Sequence, residues 1–173
     1  GVPTTELHIE VNYSTGRFMK SDHYKCEAQR IVCFPTPPAV ALGLLVPIEN
    51  DEWLITLGGR FDRKAPTDLR GFREYASSLP ITEISDRLRD ATLVGPIRSY
   101  RVRSSTWWHY DRYSDLPDRL IPIGDSIASF NPTFGQGMSV AAGQGVALRN
   151  ALVRRAETCR GLGRFVEDYL PSA

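Results

Sequence analysis

A chain of 173 residues is long enough for one hydrophobic core, or for one compact domain with part of another. Its apolar share of 42% and charged share of 24% are ordinary globular values, and a formal charge of +1 supplies no basic field of the kind nucleic-acid binders use. The longest apolar run, Ala39 to Ile48, is broken by Gly43 and Pro47 and reaches only about half the length of a spanning helix, which argues against membrane insertion.

The three cysteines, Cys26, Cys33 and Cys159, are odd in number and include no CxxC pair. Neither a structural zinc site nor a disulfide framework is expected, and reduced thiols in a cytoplasmic protein are the simpler reading. No basic stretch followed by an apolar one opens the chain, so no signal peptide is read. The start at Gly1-Val2-Pro3-Thr4-Thr5, without an initiator Met, is what a chain cut from a longer one would show; a processed or tag-derived start would look the same.

Taken in order, the first half reads mainly as strands. Leu7, Ile9 and Val11 alternate with His8, Glu10 and Asn12, the period of a half-buried strand. Tyr13-Ser14-Thr15-Gly16 predicts a turn, with Arg17 to Lys20 returning antiparallel. Ile31 to Phe34 predicts a short strand stopped by Pro35, Pro37 and Pro38. Val40 to Ile48 and Glu52 to Leu57, joined by the polar triplet Glu49-Asn50-Asp51, predict a hairpin closed by Gly58-Gly59. Pro66-Thr67-Asp68 then starts a helix along which Leu69, Phe72, Tyr75, Ala76 and Leu79 recur at helical spacing until Pro80. A second short helix starts near Thr82, with Ile81, Ile84 and Leu88 on one side. Gly95-Pro96 punctuates, and Ile97 to Arg103 predicts another strand. Arg98, Arg101 and Arg103 on it make a solvated or salt-bridged face, with steering of an anionic substrate or nicotinamide donor as the other reading. Trp107-Trp108-His109-Tyr110 forms an aromatic knot, read first as packing and second as contact with an aromatic or polyene substrate.

The last third changes texture. Leu120-Ile121-Pro122-Ile123 predicts a short apolar strand ending in Gly124-Asp125, followed by a loop rich in Ser, Asn, Pro and Gly that runs to Gly137. Met138, Ala141, Ala142, Gly145, Leu148 and Leu152 then mark one helical face with small side chains. Gly143 and Gly145 each weaken the helix by roughly 1 kcal/mol relative to Ala, so close packing against a neighbour is expected there. Physically, a carboxylate at a strand end can accept hydrogen bonds from ligand hydroxyls. Glycines before a helix let its backbone approach a flat ligand, and the first free amides carry about half a positive charge. That combination suits a ligand with both a polyol and an electron-poor ring. Gly135-Gln136-Gly137 is not a GxGxxG dinucleotide fingerprint, although Glu157 lies about twenty residues further on as that pattern asks. Val140 stands where the third glycine belongs, and a long loop separates Gly135 from the strand.

Gly124-Asp125, then Pro132, then Gly135-x-Gly137 and a small-residue helix resemble the second flavin motif of the para-hydroxybenzoate-hydroxylase-like FAD-dependent monooxygenases. Within that family the likeness is nearest to the bacterial oxidoreductases related to squalene epoxidase and polyprenyl-methoxyphenol hydroxylase. The resemblance implies that Asp125 binds the ribityl chain. It also implies that Pro132, Gly135, Gln136, Gly137 and Met138 face the pyrimidine edge of the isoalloxazine, and that Gly124 is among the cofactor-binding residues. Two positions depart from the family: Ala128 stands where a histidine is frequent, and Ser139 where an asparagine is, which bears on subfamily more than on membership. The implied fold is α+β, with a substrate-domain-like antiparallel or mixed sheet and helices over 1–115. The returning FAD-domain strand, loop and helix would fill 116–173. The family's N-terminal Rossmann-like ADP-binding unit is absent from these residues, so the chain is expected not to hold FAD tightly by itself.

The implied parent reaction is hydroxylation or epoxidation of a small hydrophobic aromatic, polyene or isoprenoid substrate through a C4a-hydroperoxyflavin, with NAD(P)H as electron donor. The implied site needs no metal, and Trp107, Trp108 and Tyr110 of the aromatic knot stand as the substrate-side candidates. A flavin-dependent reductase or halogenase sharing the same loop, and a non-catalytic small-molecule binding module, are the alternative readings; self-association is left open.

Overall fold

The computed structural model describes residues 1–24, 29–117, 120–158, 161, 163 and 165–170; Cys26 and Cys159 lie outside them. The fold is α+β. In chain order it comprises β1 (Thr4–Met19), β2 (Ile31–Cys33), β3 (Ala41–Ile48), β4 (Glu52–Arg60), α1 (Leu69–Ser77), α2 (Glu83–Arg89), β5 (Thr92–Trp108), β6 (Ala128–Ser129), α3 (Gln136–Glu157) and α4 (Phe165–Tyr169). The strands form one six-stranded sheet in the order β2-β3-β4-β1-β5-β6, in which β2–β3, β3–β4, β4–β1 and β5–β6 pair antiparallel. The chain divides into two compact units, one of Glu10–Arg103 and one of Gly1–Ile9 with Ser104–Ala173.

In the unit of Glu10–Arg103, the expected hairpin is present, but Gly58-Gly59 do not close it: β4 runs through both glycines to Arg60, and each pairs with β1 and β3. Asn50 and Asp51 sit at φ 61° and 54°, and the Glu52 amide donates to Glu49 O at 3.3 Å. Two left-handed residues in a row match the right-handed twist of the flanking strands, and Asn and Asp tolerate that region better than most side chains. The helix start is present as well: the Asp68 carboxylate caps α1 by accepting from the Gly71 amide at 2.8 Å. Phe72, Tyr75, Ala76, Leu79, Ile84 and Leu88 from the helical segment bury against Phe18, Leu45, Trp53, Ile55 and Leu57 of the strands. Cys33 is a buried free thiol whose pKa burial pushes up, with a smaller push from Glu83.

Three further expectations for this region are corrected. No turn forms at Tyr13–Gly16, and Arg17 to Met19 continue β1 instead of returning; Gly16 pairs with Ile55 in mid-strand. A Cβ there would lie 2.8 Å from Phe18 Cε2 and 3.1 Å from Ile97 Cγ1, so the glycine makes room for a core ring and not for a bend. The alternation of β1 also slips by one residue. Ile9 and Val11 are buried, then Asn12, Ser14, Gly16 and Phe18, with Glu10 at φ 42° at the slip, while Leu7 is exposed. Finally, β5 is much longer than Ile97 to Arg103. It runs through Gly95-Pro96, where Gly95 takes φ 76° and absorbs the irregularity inside the strand.

The Tyr75 hydroxyl donates to Gly58 O at 2.7 Å from a buried position. Burial raises its pKa above the ordinary 10.0, partly opposed by the hydrogen bond and charge of Arg63. The neutral phenol is therefore favoured in the folded state, so its contribution is complete below pH 10 and declines as the pH rises through the higher folded value. Urea midpoints for this unit are expected to fall as the pH climbs above 10, and Tyr75→Phe is expected to flatten that decline while lowering stability at pH 7 by about 1 kcal/mol.

Candidate cofactor site

The segment from Leu120 to α3 lies in the second unit. Leu120 to Ile123 do not join the sheet as expected: Ile123 is extended at φ −151° and ψ 153°, but Pro122 has no amide to donate and no ladder forms among these residues. Gly124–Ser126 make a single 3-10 turn that starts with Gly124 at φ 62° and closes with the Ile127 amide on Gly124 O at 2.9 Å. Ser126 Oγ locks it, accepting from Ile123 N at 2.8 Å and donating to Ile123 O at 2.7 Å. Asp125 projects from this turn and is exposed.

The glycine end of the loop is built from complementary pieces. Asn131 Oδ1 accepts from the Thr133 amide at 3.0 Å, and Pro132 begins a 3-10 turn over Pro132–Phe134. Gly135 then takes φ 64° and ψ 18°, donates to Pro132 O at 3.1 Å, and stands at the N-cap of α3. A glycine N-cap has no side chain to offer, so the first amides of α3 lack the usual capping oxygen. The two ends of the loop meet. A Cβ added to Gly137 would lie 3.8 Å from Asp125 Oδ1, which places the carboxylate beside the positive end of a 22-residue helix.

Gln144, which the sequence alone does not single out, connects the same pieces. It is buried, and its Oε1 accepts the Gly124 amide at 2.6 Å. Its signal in the sequence is a lone polar residue three positions after Ala141 and four before Leu148, on a helix face that otherwise reads apolar. The buried side of α3 is in fact carried by Gln144, Ala151 and Arg155, with Ala147 and Leu148 packed partly against the same cluster. Met138 is 84% exposed, and Ala142, Gly145 and Leu152 also face outward, so the expected face is rotated. Hydrogen bonding explains the rotation: Arg155 reaches Asp168 Oδ2 at 2.6 Å and Gly163 O at 2.7 Å, so a charged residue holds an inward position. A Cβ added to Gly143 or Gly145 would meet nothing within 4 Å, so the expected close packing at these glycines is not seen.

Of the remaining predicted residues, Gly124 and Gly137 are half-buried, while Pro132, Gly135 and Gln136 are exposed. The tryptophans are stitched to the residues that follow Asp125: Trp107 pairs with Ala128, and the Trp108 amide donates to Ile127 O at 2.9 Å. Trp107 is half exposed with its ring 4.2 Å from that of His109, whereas Tyr110 packs against the Ile127, Ala151, Phe165 and Tyr169 cluster. His109 is buried, with Nε2 at 2.8 Å from Thr5 Oγ1. Among the described residues no group of His, Cys, Asp and Glu is placed to hold a metal ion, and no helix is long and apolar enough to cross a membrane.

No family model matches the chain. Protein Rv3254 of Mycobacterium tuberculosis is 31% identical over 155 residues, covering 90% of this chain and 32% of that protein. Among solved structures, PqsL of Pseudomonas aeruginosa, a probable FAD-dependent monooxygenase, aligns with a TM-score of 0.64 at 18% identity over 99% of this chain and 45% of its own. A flavoprotein/dehydrogenase of Cytophaga hutchinsonii aligns with a TM-score of 0.65 at 12% identity over 94% of this chain and 38% of its own. The chain therefore spans about a third of the length of the curated relative it matches. Its fold resembles a portion of flavin-dependent monooxygenase structures.

Proposed function

We propose that this chain is part of an FAD-dependent monooxygenase and that the loop from Gly124 to Met138 receives the flavin. The observation that carries the reading is the approach of Asp125 to Gly137 at the uncapped start of α3. An acceptor for ligand hydroxyls and a set of open amides thus share one surface, which is what a polyol joined to an electron-poor ring needs. The residues present fit the group: Gly135 occupies a left-handed conformation with open space around it, and Gly137 presents no side chain toward Asp125.

FAD, when bound, would supply the redox and oxygen chemistry, with NAD(P)H as donor. The chain's own residues bind and orient. Asp125 accepts hydrogen bonds from the ribityl hydroxyls, and Gly135 and Gly137 allow backbone to approach the ring edge. The amides of Gly137 and Met138, with the positive end of α3, stabilise negative charge at the pyrimidine side. In this reading 116–173 is the flavin-facing segment and 1–115 the substrate-side sheet. The substrate is a hydrophobic aromatic, polyene or isoprenoid molecule that is hydroxylated or epoxidised, and Trp107, being exposed, is a better contact for it than Tyr110. The fold likeness to PqsL supports reading the chain as part of a flavin-dependent monooxygenase.

Titration of the isotope-labelled chain with FAD, followed by amide NMR shifts, tests the reading. Saturable shifts are expected at Gly135, Gln136, Gly137 and Met138, with affinity about tenfold weaker in Asp125→Asn, the loss of one charge-assisted hydrogen bond. Shifts confined to other residues, or an unchanged affinity in Asp125→Asn, would overturn it.

A further inference from the structure

We propose that the unit of Glu10–Arg103 carries a second ligand site, a cleft of about 530 Å³ that takes a small organic carboxylate. The cleft lies between β1, the loop leading into α1, and β5. It is separate in sequence from the flavin loop and does not depend on the flavin reading. Its lining includes two buried polar residues of β1, Asn12 and Ser14, which are already anchored. Asn12 Nδ2 donates to Phe61 O at 2.9 Å, and Ser14 Oγ donates to Ala65 O at 2.6 Å. These bonds fix the loop against the strand, so the concavity is built and does not depend on a ligand to shape it. A volume of this size falls within the range of small-molecule sites, roughly 300–1,000 Å³.

Charge decides the ligand class. Lys64 and Arg101 both line the cleft, and Arg101 is ion-paired with Glu10. With Arg101 already engaged by Glu10, Lys64 is the lining cation left to meet a ligand, and one such cation suits a monoanion better than a doubly charged phosphate. Lys64 has no ion pair among the described residues, so its ammonium is available to an incoming carboxylate, and Ser99 and Thr67, which also line the cleft, carry hydroxyls that can donate further hydrogen bonds. The remaining volume accommodates an organic body attached to that carboxylate.

Benzoate and inorganic phosphate, titrated separately into the labelled chain and followed by amide NMR, test the proposal. Benzoate is expected to give saturable shifts at Ser14, Ala65 and Ser99 without moving Gly135 to Met138. Its affinity should fall about tenfold in Lys64→Gln, the loss of one charge-assisted contact, and be largely kept in Lys64→Arg. Arg98→Gln, on the same strand as Ser99 but outside the lining, should bind as the parent does. Absence of saturable shifts in the cleft, or equal loss in Lys64→Gln and Arg98→Gln, would overturn the site. Tighter binding of phosphate than of benzoate would overturn the carboxylate assignment.

Discussion

Phe72→Ala is expected to destabilise the unit of Glu10–Arg103 by about 3–5 kcal/mol. Phe72 has no exposed surface and stacks on Phe18, with ring centroids 5.7 Å apart at an interplanar angle of 19°. Phe18, Trp53 and Leu57 belong to the same cluster and are also fully buried, so the neighbours have little freedom to collapse into the space left behind. The aromatic pair itself adds about 0.5–1.5 kcal/mol to the area term. Since a whole domain is typically stable by only about 5–15 kcal/mol, the variant should be largely unfolded under mild denaturant. Urea titration followed by amide exchange at Ile55 and Leu57 measures this. A loss below about 1 kcal/mol would mean that α1 is not held by this core.

Gly58→Val is expected to cost at least as much, for the opposite reason. A Cβ at Gly58 would collide with Asn12 O and lie 2.7 Å from Tyr13 Cα, both backbone atoms of the paired strand β1. Backbone atoms cannot swing aside, so the two strands must separate, and the bond from Tyr75 to Gly58 O is disturbed with them. Overpacking of this kind costs about 1–3 kcal/mol where side chains can adjust and more where they cannot. Gly43→Ala is the informative comparison. Its Cβ meets Leu79 Cδ1 at 2.6 Å and Ile84 Cδ1 at 2.9 Å, both ends of flexible side chains, so its cost should stay at about 1 kcal/mol. Equal destabilisation by the two variants, read by the same exchange experiment, would contradict the distinction between backbone and side-chain crowding.

Glycines also mark how far the sequence can be read. Turn chemistry is legible where local residues suffice: Asn50 and Asp51 make their own hairpin, and Asp68 caps its own helix. The loop around Gly135 is legible for the same reason, because Asn131, Pro132 and a left-handed glycine act within a few residues of one another. Gly16 is not, because a glycine that yields space to a distant ring looks, in sequence, like one that bends the chain. The orientation of α3 is hidden too, because its inward side is chosen by Gln144 and Arg155, whose partners lie at Gly124, Gly163 and Asp168. Hydrophobic periodicity cannot register a polar residue that is buried by what it bonds.

The hydrogen bond between Gln144 and Gly124 has a mechanical consequence. Gln144 lies seven residues, about two turns, beyond Gly137 on the same helical rod. The backbone just before Asp125 is thus pinned to the shaft whose tip carries the open amides. The spacing between acid and amides is preset, as two jaws of a caliper share one beam. A molecule spanning both would find them at a fixed gap and would give up little chain freedom in closing it.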